Sequence, residues 1–300
     1  MCRKLLFLIY FVVVVGMVSS AFAADYHVGS GQTFGFIEDA YEHSKAGDTI
    51  IIHEGKYTAV GFTSDDSKHD ITFMRYNSDN VRIITSMETA YHTGWTIDGL
   101  SFSENGDSYY GINFVSRANF QQRGFDIKNC IFYNLASDSI YQSVSNFNAR
   151  TYNNTIENCT FFNLSKRDGI RLANYAYDWT IKDCIFQNVK RWDQTVTNWG
   201  GYAINPSASN AIYADYCSFY DNGNNIGGSA QYGTNVTTNK QVYFASTDPN
   251  SPNFLWLMNY NDADILTGDS DGSYRGARPA PEPATVALLG LGWLLLRRRK

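Results

Sequence analysis

The residues of this chain best suited to acid–base chemistry are two aspartates and an arginine in consecutive repeats. Asp168 precedes a short predicted strand that begins at Gly169, and Arg171 projects from that strand in the sense opposite to Ile170. Asp138 occupies the position of Asp168 one repeat earlier. Glycoside hydrolysis requires two carboxylates that flank a bond, and β-elimination from a uronate requires a base and a cation that stabilises the enolate. Asp138, Asp168 and Arg171 are therefore the candidate catalytic residues.

Aromatic and basic side chains near this segment could bind a substrate. Tryptophan rings pack against the apolar faces of sugar rings, and lysine and arginine attract anionic groups. The predicted substrate-binding residues are Trp192, Trp199, Lys166, Arg167 and Arg191. A second interpretation stays open, because an aspartate before a glycine is ordinary at a turn and basic residues commonly coat an exposed strand. The five histidines all precede residue 93, and no metal site and no cofactor are predicted.

The element that must position these side chains is an internal repeat. Five similar segments occupy residues 97–104, 127–135, 156–164, 181–189 and 214–221. Their shared central position, at residues 100, 130, 159, 184 and 217, recurs after 30, 29, 25 and 33 residues. Apolar and polar residues alternate within each segment, and a second short apolar–polar segment follows it, which predicts several strands per repeat. Stacked coils would satisfy the backbone of such strands, so the sequence predicts an all-β protein, a right-handed parallel β-helix.

Equivalent positions of the repeats predict columns of like side chains along the helix. Isoleucines at 127, 156 and 181 and phenylalanines at 132, 161 and 186 would stack inside, and Asn129, Asn158 and Asp183 fit a turn that Gly99 and Tyr216 interrupt. A further column consists of the cysteines at 130, 159, 184 and 217. Their number is compatible with disulfides in an exported chain, but their apolar position favours unpaired, buried thiols.

The segment before the repeats predicts a cap. Residues 36–46 have the apolar spacing of a helix, and a turn and a strand follow at residues 47–57. This entry and the repeats of residues 95–222 resemble the pectin-lyase-like β-helix proteins, in which a short helix covers the open end. That family includes lyases, hydrolases, esterases and non-catalytic surface proteins, so the resemblance implies the fold and not the activity. Residues 241–277 predict a final strand and a loop-rich cap at the far end, which makes residues 24–277 one domain.

The first 23 residues predict a secretory signal peptide. Arg3 and Lys4 precede an apolar run of 14 residues, and Ala21 and Ala23 provide small residues at a cleavage point for signal peptidase. A membrane anchor is the alternative, but the run is short of the roughly 20 residues that a spanning helix needs. The mature chain is therefore expected to begin near Ala24 and to act outside the cytoplasm.

Residues 278–300 predict a sorting tail. Pro281, Glu282 and Pro283 precede an apolar segment at residues 284–296, predicted as a short transmembrane segment, and four basic residues end the chain. A core helix is the alternative, but it would need neither the prolines nor the basic cluster. The tail resembles the PEP-CTERM sorting signal. The resemblance implies a Gram-negative bacterium, recognition by an exosortase, transient anchoring in the membrane and a link to exopolysaccharide at the cell surface.

Composition and charge narrow the classes of function. The chain is 44% hydrophobic, 15% aromatic and 18% charged, which excludes a disordered protein. Without the six basic residues of the two ends and Glu282, 18 basic residues remain against 28 acidic ones, so a nucleic-acid partner is not expected. The leading hypothesis is a monomeric, cell-surface or exopolysaccharide-associated protein that binds polysaccharide. The alternatives are a polysaccharide lyase or glycoside hydrolase acting on the side of the helix, and a structural matrix protein without a ligand.

Overall fold

A computed structural model describes most of the chain between residues 23 and 277. The described residues are 23–58, 60–62, 67–103, 110–115, 120–143, 150–190, 201–207, 212–251, 253–258, 261, 263–266 and 274–277. The predicted signal peptide before residue 23, the predicted sorting tail and Arg191, Trp192 and Trp199 lie outside the described residues.

The described residues form three sheets. The first sheet contains β1 (Asp25–Val28), β2 (Thr49–Ile52), β5 (Thr72–Arg75), β8 (Thr96–Asp98), β11 (Gln122–Arg123), β12 (Asp126–Lys128), β15 (Thr151–Glu157), β18 (Ala176–Lys182), β21 (Ile212–Asp215) and β24 (Ala230–Tyr232). The second sheet contains β3 (Gly55–Tyr57), β6 (Val81–Ile83), β9 (Ser101–Ser103), β13 (Ile131–Tyr133), β16 (Thr160–Leu164), β19 (Ile185–Val189), β22 (Ser218–Tyr220) and β25 (Thr237–Thr238). The third sheet contains β4 (Val60–Gly61), β7 (Met87–Glu88), β10 (Ile112–Val115), β14 (Ile140–Ser143), β17 (Ile170–Leu172), β20 (Tyr202–Pro206) and β23 (Asn224–Ile226).

Every pairing between neighbouring strands of the three sheets is parallel, as stacked coils require. Apart from β11 and the strands at the ends of each sheet, each strand pairs with the strand of the coil before it and with that of the coil after it, so β12 lies between β8 and β15 in the first sheet. The chain passes through the three sheets in turn before it starts the next coil. The prediction of an all-β fold with stacked parallel strands is confirmed, and the topology is that of a parallel β-solenoid.

The interior consists of the predicted columns of like side chains. Ile97, Ile127, Ile156 and Ile181 are Cα partners in consecutive strands of the first sheet and are fully buried. In the second sheet, five phenylalanine rings stack nearly parallel with centroids 4.5–5.1 Å apart, at residues 102, 132, 161, 186 and 219. This register places the apolar face of every strand inside, so burial of these columns stabilises the coils.

The cysteine column is a ladder of unpaired thiols. Cys130, Cys159, Cys184 and Cys217 are all buried and free. Each Sγ donates a hydrogen bond to the carbonyl two residues before it, at 3.1–3.2 Å. Burial raises the pKa of the Cys159, Cys184 and Cys217 thiols well above its ordinary value. The structure therefore agrees with the interpretation in which the four cysteines are buried thiols that form no disulfides.

A column of residues in the left-handed backbone conformation marks the corner after the first sheet. Asn129, Asn158 and Asp183 have φ of 54°, 52° and 57°. Gly99 and Tyr216, which were expected to interrupt the column, have φ of 74° and 52° and therefore continue it. Asparagine, aspartate and glycine tolerate this conformation well, whereas a tyrosine adopts it at a cost.

The predicted N-terminal helix is present as α1 (Ile37–His43). It contacts β1, β2 and β4, and so lies over the first coil. Ile37, Ala40 and Tyr41 are buried in the same apolar core as the columns. Within the part of the chain that the structure describes, neither helix combines the length and apolar character needed to cross a membrane.

The C-terminal segment differs from the expected final strand and far-end cap. The described residues between 242 and 258 contribute only the isolated bridges Phe244–Leu257 and Ser246–Phe254, and α2 (Ala263–Leu266) is a single turn. The segment packs along the outer side of the second sheet instead. Phe254 and Leu255 bury Ile131 and Tyr133, and a second cluster consists of Ile185, Val242, Leu257 and Ile265. The physical reason is that these strands carry apolar residues on both faces, and the outer face needs a cover.

Candidate functional site

The third sheet places the two candidate aspartates at equivalent positions in neighbouring coils. Ile140 and Ile170 are Cα partners, and Asp138 and Asp168 each lie two residues before them. The predicted register of the two aspartates is therefore confirmed. Tyr202 occupies the same position in the next coil, two residues before Ile204.

Both carboxylates are buried and hydrogen-bonded to the following coil. Asp138 is 1% exposed and Asp168 is fully buried. Oδ1 of Asp138 accepts a hydrogen bond from the backbone N–H of Asp168 at 2.8 Å. Oδ1 of Asp168 accepts one from the backbone N–H of Tyr202 at 2.9 Å, and its Oδ2 accepts one from Nδ2 of Asn205 at 2.8 Å. The two side chains therefore join three coils.

Burial changes the acidity of both groups. Burial, and then the nearby charge of Asp168, raise the pKa of Asp138 to about 7. Burial also raises the pKa of Asp168, against the opposing effect of its hydrogen bonds from Tyr202 and Asn205. Arg171 and Arg167 lower the pKa of both carboxyl groups by smaller amounts. Near neutral pH, Asp138 is therefore close to half protonation, which is typical both of functional sites and of buried structural pairs.

The outer surface of the third sheet carries aromatic, amide and basic side chains. The rings of Tyr110 and Tyr141 stack with centroids 4.3 Å apart and an angle of 13° between their planes. Arg171 is the Cα partner of Tyr141, and its guanidinium carbon lies 5.9 Å from the centre of the Tyr141 ring. Asn113 and Asn205 occupy the same outward row on either side of this pair. We call these five half-buried residues the tyrosine–arginine face.

The structure brings some of the predicted site residues together. Asp138 and Asp168 lie at equivalent positions just before β14 and β17, and Arg171 lies in β17, three residues after Asp168. Lys166 and Arg167 lie in the bend that leads to Asp168, half-buried and exposed respectively. The binding roles predicted for Trp192, Trp199 and Arg191 fall outside the described residues.

Tyr110, Tyr141, Asn113 and Asn205 belong to the same surface but were not predicted as site residues. The sequence does carry a signal for three of them. Asn113, Tyr141 and Asn205 each follow an inward isoleucine of the second strand of a repeat, and residues next to an inward position point outward.

The two aspartates are buried, whereas the side chains of the tyrosine–arginine face are partly exposed to solvent. A carboxyl group that acts as nucleophile or, when protonated, as general acid must reach the scissile bond, whereas Asp138 and Asp168 bond to backbone and amide groups of the solenoid. The catalytic role of Asp138, Asp168 and Arg171 stays a prediction. Among the described residues, no three or more His, Cys, Asp or Glu side chains are arranged to hold a metal ion. The tyrosine–arginine face itself can pack against apolar faces and hydrogen-bond to polar groups.

Comparison with known proteins assigns no family to the chain. No model of a known protein family matches it. No curated protein is significantly similar to it in sequence.

Proposed function

We propose that this chain is an exported cell-surface protein, associated with exopolysaccharide, that binds polysaccharide through the tyrosine–arginine face. The observation that carries the proposal is the stacked pair Tyr110–Tyr141 with the guanidinium of Arg171 beside it on the outer side of the third sheet. Aromatic rings bury large apolar area while their hydroxyl groups stay wet, which suits the mixed surface of a sugar ring.

The remaining groups of the face complement a sugar. The side-chain amide of Asn113 can donate to and accept from hydroxyl groups, and Asn205, whose Nδ2 already donates to Asp168, can accept through its Oδ1. Arg171 can bind an anionic substituent. Successive coils repeat at about 4.8 Å, so a polymer lying along the solenoid would meet one side chain of this outward row in each coil. Lys166, Arg167, Arg191, Trp192 and Trp199 are proposed to extend the same surface.

The proposal includes how the chain reaches its place of action. Residues 1–23 act as a signal peptide cleaved by signal peptidase, and residues 278–300, with Pro281, Glu282 and Pro283, act as a PEP-CTERM signal read by an exosortase of a Gram-negative bacterium. The apolar segment 284–296 holds the chain in the membrane transiently. The solenoid is proposed to be a right-handed, pectin-lyase-like β-helix, because parallel crossover connections are right-handed in about 98% of cases. The protein acts as a monomer and needs no cofactor.

A second candidate function is a polysaccharide lyase or glycoside hydrolase. The observation in its favour is the pKa of about 7 for Asp138, next to Asp168 and close to Arg171 and Arg167. A carboxyl group near half protonation at neutral pH can give and take a proton, and a nearby cation can stabilise an enolate. This function would require the strand to expose Asp168 when a substrate binds.

A binding and product assay separates the two functions. The full chain is tested against uronate-containing and neutral polysaccharides by affinity gel electrophoresis, and the same mixtures are assayed for new reducing or unsaturated ends. For binding alone, we expect retardation without product, and about fivefold to tenfold weaker retention for Tyr141→Ala because the ring stack is lost. Tyr213→Ala is the matched control, since Tyr213 is 50% exposed on the first sheet.

Two outcomes contradict the binding proposal. If the chain is not retarded by any polysaccharide, or if Tyr213→Ala weakens retention as much as Tyr141→Ala does, the tyrosine–arginine face is not a binding site. Product ends that disappear in Asp168→Ala, with the variant still folded by circular dichroism, would establish the enzyme instead.

A further inference from the structure

The outer side of the first sheet carries a pocket that shares no residue with the tyrosine–arginine face. Its volume is about 390 Å³, which falls in the range of about 300–1,000 Å³ typical of small-molecule sites. The lining residues are Gln121, Arg150, Tyr152, Tyr177 and Asp178. Arg123 adjoins them, because its Nη1 donates a hydrogen bond to the Tyr152 hydroxyl at 3.2 Å. We call this site the Arg150 pocket.

The backbone of two neighbouring strands creates the concave shape. Tyr152 in β15 and Tyr177 in β18 are Cα partners, and Arg123 in β11 is the partner of Tyr152 on the other side. The residues that follow the tyrosines, Asn153 and Asp178, have φ of 54° and 52°. This conformation interrupts the strict alternation of sides, so two consecutive side chains in each strand face outward and a corner forms between them.

The charge of the pocket differs from that of the chain. The protein has a formal net charge of −5, whereas this site combines two guanidinium groups, Arg123 and Arg150, with one carboxylate, Asp178. A guanidinium presents a planar set of donors that matches a carboxylate or a sulfate. An anionic group is therefore favoured at Arg150.

The other lining groups suit the ring to which such an anion is attached. Tyr152 and Tyr177 are half-buried and can bury the apolar face of a sugar. The amide of Gln121 and the carboxylate of Asp178 can bond to its hydroxyl groups, and Asp178 would disfavour an anion on that side of the pocket.

We propose that the Arg150 pocket is a second saccharide site that binds a sugar unit bearing an anionic group, a carboxylate or a sulfate. The inference relies on the proposed function only in taking a saccharide as ligand. It differs from the proposed function in its position and in its selectivity, because the anion contacts Arg150 and the apolar face of the sugar packs against Tyr152 and Tyr177. Polymers with anionic units would then contact the solenoid on two of its three sheets.

Calorimetric titration of the full chain tests the pocket. The probes are a galacturonate trimer, its methyl ester, which lacks only the charges, and a sulfated galactose trimer. We expect the methyl ester to bind at least about tenfold more weakly than the acid, because a charge-assisted hydrogen bond is lost. Tighter binding of the sulfated trimer than of the acid would identify sulfate as the preferred anion, and the reverse order would identify carboxylate. Either order supports the pocket, provided that the methyl ester binds weakly.

The variants separate this pocket from general electrostatics and from the other face. Arg150→Gln should reduce the affinity for the acid about tenfold and leave that for the ester unchanged, and Tyr177→Ala should weaken both. Lys128→Gln removes a positive charge from the same sheet and should have little effect. Equal binding of acid and ester, or equal losses for Arg150→Gln and Lys128→Gln, would overturn the proposal.

The same titrations show which proposal fails. If Tyr141→Ala abolishes binding and Arg150→Gln does not change it, the saccharide binds at the tyrosine–arginine face and the Arg150 pocket is not a binding site. If Arg150→Gln abolishes binding and Tyr141→Ala does not change it, the saccharide binds in the Arg150 pocket and the tyrosine–arginine face is not the binding site of the proposed function. If no trimer binds to the parent chain, the pocket is not a saccharide site. Thermal unfolding of each variant excludes loss of fold as the cause.

Discussion

The carboxylate of Asp138 accepts a hydrogen bond from the backbone N–H of Asp168, 2.8 Å away in the next coil. Asp168 repeats the contact one coil further, to the N–H of Tyr202. The pair thus forms a ladder of side chains that satisfies two backbone donors, one just before β17 and one at the start of β20. Unsatisfied buried N–H groups would destabilise the coils, so the ladder contributes to the fold whatever else the aspartates do.

This ladder predicts that acid stabilises the protein. The pKa of Asp138 is raised from 3.8 to about 7 by burial and then by the charge of Asp168, so the folded chain holds a proton that the unfolded chain releases. Its contribution is therefore largest below the unfolded pKa and is lost as the pH rises towards about 7, at no more than about 1.4 kcal/mol per pH unit for one proton. Asp168 contributes in the same direction, since its pKa is also raised. Urea unfolding between about pH 5 and pH 8 measures the slope.

Asp138→Asn tests the origin of that slope. The amide oxygen can still accept the bond from Asp168 but does not titrate, so we expect a flatter dependence on pH and a free energy of unfolding at about pH 8 no lower than that of the parent. Asp126→Asn, on the outer side of the first sheet beside Lys128, is the control and should keep the parent slope. Parallel curves for the parent and Asp138→Asn would show that Asp138 is not the titrating group.

Much of the solenoid can be predicted from sequence because its interior repeats. Phe132, Phe161 and Phe186 recur at one position of the repeat, and an alternating pattern with that spacing has few ways to bury all of them except stacked coils. The register of Asp138 with Asp168 follows from the same alignment.

The character of the site is harder to predict because exposure depends on tertiary contacts. An aspartate between a turn and a strand can have the same local sequence whether its carboxylate faces solvent or accepts a hydrogen bond from the next coil, as that of Asp168 does. The Arg150 pocket combines residues from β11, β15 and β18 whose side chains meet only after the coils stack. The lateral path of the C-terminal segment depends on apolar outward residues such as Ile131 and Ile185, which the alternating pattern alone places in solvent.

The cysteine ladder predicts thiols that are inert in the folded protein. All four described cysteines are buried, and burial raises the pKa of Cys159, Cys184 and Cys217, so thiolate is scarce at neutral pH. We expect a thiol reagent to label none of the four without denaturant and all four in guanidinium chloride. Mass spectrometry of the unreduced chain should show no loss of hydrogen from disulfide formation. Rapid labelling of the native chain would contradict the ladder.

The left-handed corner predicts a stabilising substitution. Tyr216 has φ of 52° and is half-buried. Two of the earlier coils have an asparagine at this position, Asn129 and Asn158. Because asparagine tolerates this conformation better than tyrosine, we expect Tyr216→Asn to raise the free energy of unfolding by roughly 0.5–1 kcal/mol. The reciprocal control is Asn158→Ala. Alanine tolerates the left-handed backbone conformation less well than asparagine, so this substitution should lower the free energy of unfolding by about 1 kcal/mol. Chemical denaturation measures both, and a Tyr216→Asn variant less stable than the parent would show that the contacts of the ring outweigh the strain.

Arg275 fastens the C-terminal segment to the end of the solenoid. Its side chain is fully buried, and its guanidinium donates hydrogen bonds to the carbonyl of Cys217, the hydroxyls of Ser218 and Thr237, and the carbonyl of Asn235, at 2.7–3.2 Å. Arg275→Met keeps much of the volume but leaves these oxygens without their donors, so we expect a loss of roughly 2–4 kcal/mol in the free energy of unfolding.

The loss should be local as well as global, because the guanidinium of Arg275 joins the segment to β22 and β25 at the end of the solenoid. Hydrogen exchange in Arg275→Met should therefore accelerate in residues 240–266 and in these two strands, with little change in β12 and β15. Lys240→Met is the matched control, since Lys240 lies in the same segment and its ion pair with Asp264 is partly exposed, so it should cost no more than about 1 kcal/mol. Uniform acceleration over all coils in Arg275→Met would mean that the segment and the solenoid unfold as one unit, and that Arg275 is not a separate fastening point.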